Sequence, residues 1–187
     1  MLKLLRVAVS GAHGVGKTTL VNEVHRILKA EGMSVEVALE PYQMLRDEFQ
    51  RRGKEALYQG LLVEHFERLT RYECACCLYD RTLLDFLAYT IVDPEPVLSV
   101  SELIEILLPC YLEVFQLHLY LPVEFSLEEA GRKPEEDDKQ SRIDRCIKKA
   151  IAHFEVPIHE VRGSTEDRAQ QALELIRPLC PAPQDVS

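Results

Sequence analysis

The 187-residue chain lacks a basic excess: 22 Lys and Arg stand against 31 Asp and Glu, a formal net charge of −9. No global cationic footprint for nucleic acid is present, which weakens a DNA-motor reading and sets nucleic acid aside as a partner. No apolar run approaches the length of a membrane span, so no membrane association is expected. The first strand starts almost at once after Met1-Leu2-Lys3, leaving no room for a signal peptide, and a cytoplasmic location is expected. Neither an internal repeat nor a low-complexity segment occurs. The six cysteines include no C-x-x-C pair and no His-Cys spacing suited to zinc. They read instead as small buried hydrophobes in a reducing compartment. No Asn-Lys-x-Asp guanine motif occurs, which argues against a GTPase. With 47% hydrophobic residues, the length suits one globular domain, 1–187, with a sizeable core.

What is present is more specific. Gly11-Ala12-His13-Gly14-Val15-Gly16-Lys17-Thr18 fills every fixed position of the phosphate-binding loop G-x-x-x-x-G-K-[ST]. Leu4 to Val9 upstream reads as a buried strand. Leu20, Val21, Val24, Ile27 and Leu28 downstream recur at helical spacing up to Gly32. Strand, glycine loop and helix bring backbone N–H groups and a helix N-terminus onto phosphate oxygens. Gly11, His13, Gly14, Val15, Gly16, Lys17, Thr18 and Thr19 are therefore candidate contacts to a nucleoside triphosphate. Lys17 is suited to the β- and γ-phosphates and the Thr18 hydroxyl to Mg²⁺.

Further strands are expected at 34–39, 74–80, 117–121 and 156–161. Helices are expected at 42–52, 54–72, 82–92, 101–116 and 142–154, with a last one opened by a Ser164/Asp167 capping box and running to Leu179. Alternating strands and helices predict an α/β, P-loop NTPase fold: a five-stranded parallel sheet with helices on both faces. The polar stretch 124–145 is expected to form a small helical lid. The 101–116 helix is apolar nearly all round, which places it in the core or in a homodimer interface.

Asp80 ends an apolar strand at the edge where ligands gather in open α/β sheets, and is a candidate for holding Mg²⁺ opposite Thr18. Arg81 follows, with a guanidinium able to bridge donor and acceptor oxygens. Asp85 reads as the N3 carboxylate of a capping box begun by Thr82. Glu40 ends the second strand before Pro41. It reads equally as a base for an attacking hydroxyl or as a solvated strand-end glutamate. Arg46 is either an acceptor contact or a solvated helix arginine. Arg132, Arg142 and Arg145, with Lys148 and Lys149 beyond, read as lid cations or as a solvated basic face; Arg142 is the preferred catalytic candidate. Tyr42, Tyr58, Phe86 and Tyr89 suit either base stacking or the core.

Taken together, these motifs resemble the P-loop kinases of nucleosides and nucleotides, over most of the chain. Asp80-Arg81-Thr82 followed by Asp85, Ala88 and Tyr89 is similar to the ribosylnicotinamide-kinase-like ATPase family and to thymidylate kinases. Deoxynucleoside kinases are more distant and carry Glu-Arg-Ser here. Their second-strand glutamate acts as base and precedes a proline, as in Glu40-Pro41. The resemblance implies ATP and Mg²⁺ as cofactors, a nucleoside or nucleotide as acceptor, lid arginines near Arg132, Arg142 and Arg145, and an adenine-contacting loop at Gly163-Ser164-Thr165. Glu40-Pro41-Tyr42-Gln43 lacks the Pro-Gly-Gly of thymidylate kinases, which turns the expectation from a nucleoside monophosphate toward a nucleoside. A nucleotide-dependent switch or partner-binding ATPase is the alternative of another class.

Overall fold

A computed structural model of the chain describes residues 4–42, 45, 53–124 and 134–180, with side chains from 138 onward in the last segment. The elements are β1 (Leu5–Ser10), α1 (Lys17–Ala30), β2 (Val35–Ala38), α2 (Lys54–Arg71), β3 (Cys76–Asp80) and α3 (Leu83–Val92). They continue through α4 (Leu98–Leu112), β4 (Leu117–Tyr120), α5 (Pro134–His153), β5 (Ile158–Glu160), α6 (Thr165–Ile176) and a 3₁₀ turn (Arg177–Leu179). All five strands are parallel, in the order β2-β3-β1-β4-β5.

The central strands read as continuous apolar runs because helices cover both faces of the sheet. β3 and β4 are buried at every residue, whereas β5 at the edge is half-buried to exposed. Leu20, Val21, Val24 and Leu28 of α1 are all buried, each contributing about 2 kcal/mol of apolar burial. The register pairs Val9 with Asp80 and Ser10 with Tyr120. The three central strands therefore end level with one another beneath the glycine loop, and the chain departs to opposite sides of β1, the crevice that α/β folds use for ligands.

Both expected capping boxes form, Thr82 with Asp85 and Ser164 with Asp167. Several boundaries differ from expectation. β3 begins at Cys76 rather than Cys74: Cys74 and Ala75 lie in a bend, although Ala75 already bonds Ser34 and Leu5 beside it. α4 begins at Leu98, three residues before the expected start. α5 begins at Pro134, inside the expected lid. A proline is tolerated at a first helical position because its missing N–H has no helical partner there. The last helix stops at Ile176 and tightens into 3₁₀ geometry at Pro178. Most of the expected 42–52 helix lies outside the described residues. No helix among the described residues is long and apolar enough to cross a membrane.

Candidate active site

The glycine loop is held in shape from outside. At Gly11, φ is 152°, and a Cβ built there would lie 2.6 Å from the Leu121 carbonyl oxygen, so no larger residue fits. Gly16 caps α1 in the left-handed region, φ 94°. The Gly11 N–H donates to Asp85 Oδ1 at 2.8 Å. Gln140 of α5 donates to the His13 carbonyl at 2.8 Å, and Arg168 of α6 to the Val15 carbonyl at 2.6 Å. Inside the loop, Lys17 Nζ folds back to donate to the Gly11 and Ala12 carbonyls at 2.7 and 2.6 Å. Burial of this ammonium, with the cation of Arg81 nearby, lowers its pKa to about 8.

Thr18 Oγ1 donates to Asp80 Oδ2 at 2.6 Å. The other Asp80 oxygen, Oδ1, is buried and has no hydrogen-bond partner among the described residues. A hydroxyl and an unsatisfied carboxylate oxygen, both hard donors, fit a divalent cation that keeps most of its waters. Among the described residues, no cluster of three or more His, Cys, Asp or Glu side chains is arranged as a metal cage, and all six cysteines are free thiols.

Glu40 and Arg81 meet at the tips of β2 and β3, with Oε1 and Nε 2.8 Å apart. Desolvation raises the Glu40 pKa, opposed by the Arg81 charge. Arg81 is a non-glycine residue at φ 67°, and its guanidinium lies 4.8 Å from the centre of the Tyr89 ring. Such a conformation persists only where its surroundings enforce it. Here the Arg81 N–H donates to the Val9 carbonyl at 3.1 Å, and the Arg81 carbonyl accepts from buried Arg68. Arg68 also donates to the carbonyls of Leu39 and Asp80, at 2.7 and 3.3 Å. One guanidinium thus ties together the strand tips that carry Glu40, Asp80 and Arg81. Arg68→Met is expected to destabilise the fold by about 2–4 kcal/mol, since three charge-assisted bonds to backbone are lost. Urea denaturation checks this: an unchanged midpoint would contradict the anchoring role.

Glu40 and Arg81 line a cavity of about 690 Å³, together with His13, Tyr42, Tyr58, His65, Asp85, Phe86, Tyr89, Asp93 and Lys139. On the far side of the loop, a second hollow of about 330 Å³ is lined by Gly16, Thr19, Gly163, Ser164, Thr165 and Arg168. Arg168 also pairs with Glu124, which accepts the Gly163 N–H at 3.0 Å.

The structure therefore brings Lys17, Thr18, Glu40, Asp80 and Arg81 together and sets Gly163 beside the loop. Asp85 makes its capping box, and its second oxygen also fixes the loop. Arg142 and Arg145 are exposed on α5; among the described residues of the 124–145 stretch, the cation that lines the large cavity is Lys139. Arg132 and Arg46 lie outside the described residues. Sequence reasoning missed Arg68, Gln140, Arg168 and His65. For Arg68 a signal existed: it falls at helical spacing from Leu57, Leu61 and Glu64–His65 on the buried side of α2.

A family model described as an AAA domain matches residues 6–168. No curated protein matches the chain. Among solved structures, deoxyadenosine kinase from M. mycoides with bound dCTP is 16% identical at a TM-score of 0.62, over 93% of this chain and 100% of that one. YorR from Bacillus subtilis, in complex with phosphorylated GDP, is 14% identical at 0.57, over 92% and 95%. NadR in complex with NR is 16% identical at 0.69, over 94% of this chain and 49% of NadR. At these identities the likeness shows a shared fold and no more.

Proposed function

Because the chain belongs to the AAA-domain family, whose model spans the glycine loop, Glu40 and Asp80-Arg81, we propose that it is an ATP- and Mg²⁺-dependent kinase acting on a nucleoside hydroxyl. The observation that carries this reading is the Glu40–Arg81 pair standing between the glycine loop and the 690 Å³ cavity. The loop and Lys17 hold the triphosphate, with adenine in the smaller hollow at Gly163. Thr18 and Asp80 hold Mg²⁺, which when bound offsets charge on the phosphate oxygens. Glu40 accepts the acceptor's hydroxyl proton, and Arg81 bridges donor and acceptor oxygens as charge develops. Arg142, one turn beyond Lys139, is assigned the transferring phosphoryl when α5 approaches it.

The lining supports a neutral acceptor. Glu40, Asp85 and Asp93 stand against Arg81 and Lys139 among the described residues, a balance that disfavours a second phosphate dianion. Solved structures similar to this chain hold dCTP, phosphorylated GDP or NR, which supports a nucleoside-type acceptor. Six free thiols suit a reducing cytosol. A coupled ADP assay over nucleosides and their monophosphates, with product identification by mass, tests the reading. Nucleosides are expected to be phosphorylated and monophosphates not. ADP release with no phosphorylated acceptor would replace the kinase with a switch ATPase.

A homodimer is part of the same reading. α4 buries Val100, Ile104, Leu108 and Tyr111 but leaves Leu103 43% and Ile106 73% exposed. These, with exposed Cys110, form an outward stripe at helical spacing, suited to a second copy across a two-fold axis. Light scattering at micromolar concentration is expected to give the dimer mass; a monomer would remove this element.

A further inference from the structure

Two polar side chains from distant helices end on the glycine loop. Gln140 of α5 is 1% exposed and donates to the His13 carbonyl; Arg168 of α6 is 5% exposed and donates to the Val15 carbonyl. Arg168 packs so close that a Cβ added to Gly16 would lie 3.4 Å from its Nη1. Each anchored carbonyl shares its peptide unit with the N–H of the following residue, Gly14 or Gly16. In a trans peptide these two groups point in opposite directions, and the chain has no cis peptide bond among the described residues. Pinning the carbonyls to α5 and α6 therefore turns the Gly14 and Gly16 N–H groups away from those helices. Neither N–H donates to a backbone acceptor among the described residues. Both glycines hold a positive φ, 78° and 94°.

We propose that Gln140 and Arg168 are positioning residues for the donor triphosphate. By holding the His13 and Val15 carbonyls outward, they set the Gly14 and Gly16 N–H groups as a preformed nest for phosphate oxygens. Released from these anchors, peptide units flanked by glycine turn over at little cost, and the donors lose their aim. The proposal rests on the triphosphate half of the nucleoside-kinase reading and is independent of the acceptor. Gln140 is not among the described residues lining either hollow, so it acts on a nucleotide through the loop alone. Arg168 lines the smaller hollow and pairs with Glu124, so its action through the loop has to be separated from contact with the donor's base.

Calorimetric titration of the full chain with inorganic tripolyphosphate and with a non-hydrolysable ATP analogue, each with Mg²⁺, makes that separation, because tripolyphosphate has no base. Gln140→Met, close in volume but without an N–H, is expected to weaken both ligands about tenfold, and Arg168→Met about thirtyfold. Arg168→Lys keeps the charge and a donor and should recover most of the loss. A merely structural role lowers the melting temperature and leaves affinities measured well below it unchanged. Wild-type affinities in Gln140→Met overturn the proposal. So does an Arg168→Met variant that loses the ATP analogue but not tripolyphosphate, which would make Arg168 a base contact. NMR of the wild type supplies a reading independent of variant folding. Tripolyphosphate should move the Gly14 and Gly16 N–H resonances while the φ-dependent couplings of both residues stay as in the free protein. Couplings that change on binding show a loop that is not preformed, and overturn the proposal. If the wild type binds neither ligand, the triphosphate reading falls and the proposal with it. If it binds both and every variant matches it, that reading stands and the positioning role alone fails.

Discussion

Lys17→Ala is expected to lower phosphoryl transfer about 10³-fold, the scale of losing a preorganised charge at a transferring group, while the melting temperature stays close to wild type. In the free protein the Lys17 ammonium bonds, among the described residues, only loop carbonyls, at 2.7 and 2.6 Å. A triphosphate offers it far stronger acceptors. Its pKa of about 8 without nucleotide gives a second, sign-specific consequence. Triphosphate oxygens favour the charged form and raise the pKa in the complex. Below about 8 the lysine already carries its proton and binding needs none. Above that, binding takes up a proton, so affinity falls as pH rises, by up to about tenfold per pH unit. Calorimetry of a non-hydrolysable ATP analogue in buffers of different ionisation enthalpy reads the proton directly. Wild-type turnover by Lys17→Ala would refute the assignment of the loop.

Glu40→Gln should reduce kcat about 10²-fold with a smaller effect on acceptor KM. Glutamine keeps the size and one acceptor oxygen but cannot take a proton. Burial raises the Glu40 pKa, and Arg81 opposes that rise without cancelling it. The acid limb of kcat/KM in the wild type is therefore expected above the ordinary glutamate range. Activity should rise with pH as the carboxylate loses its proton, and this limb should disappear in Glu40→Gln. Near-normal turnover by the variant, with the limb intact, would reduce Glu40 to an acceptor contact.

How much of this was legible in sequence follows from how far each feature reaches. The glycine loop, the Asp80-Arg81 strand tip and both capping boxes are written within a few consecutive residues, and each appears where expected. Glu40 was ambiguous because its meaning depends on Arg81, which β3 delivers beside β2 through a register invisible in a linear reading. Gln140 and Arg168 were missed because each is a polar helical residue that reads as surface, and Arg68 because its charge outweighed its place at helical spacing on the buried side of α2. What buries them is the set of backbone carbonyls across the fold that they satisfy. The reverse happened on α5: Arg142 and Arg145 drew attention as cations in a charged run, while the helix phase and an early start at Pro134 put Lys139 at the cavity and Gln140 on the loop. His65 gave no sequence signal of its own, since a histidine on the buried side of an amphipathic helix reads as core.

The central claim is that a triphosphate lies in the glycine loop with its metal at the tip of β3 and its γ-phosphoryl facing the acceptor cavity. A crystal structure with Mg²⁺ and a non-hydrolysable ATP analogue tests it most directly. The expected density has the β-phosphate within the loop, Lys17 Nζ turned from the Gly11 and Ala12 carbonyls onto phosphate oxygen, the metal on Thr18 with Asp80 Oδ1 directed to its water shell, and the terminal phosphate beside Arg81. Nucleotide bound elsewhere, or a metal with no contact to Thr18 or Asp80, would contradict the account.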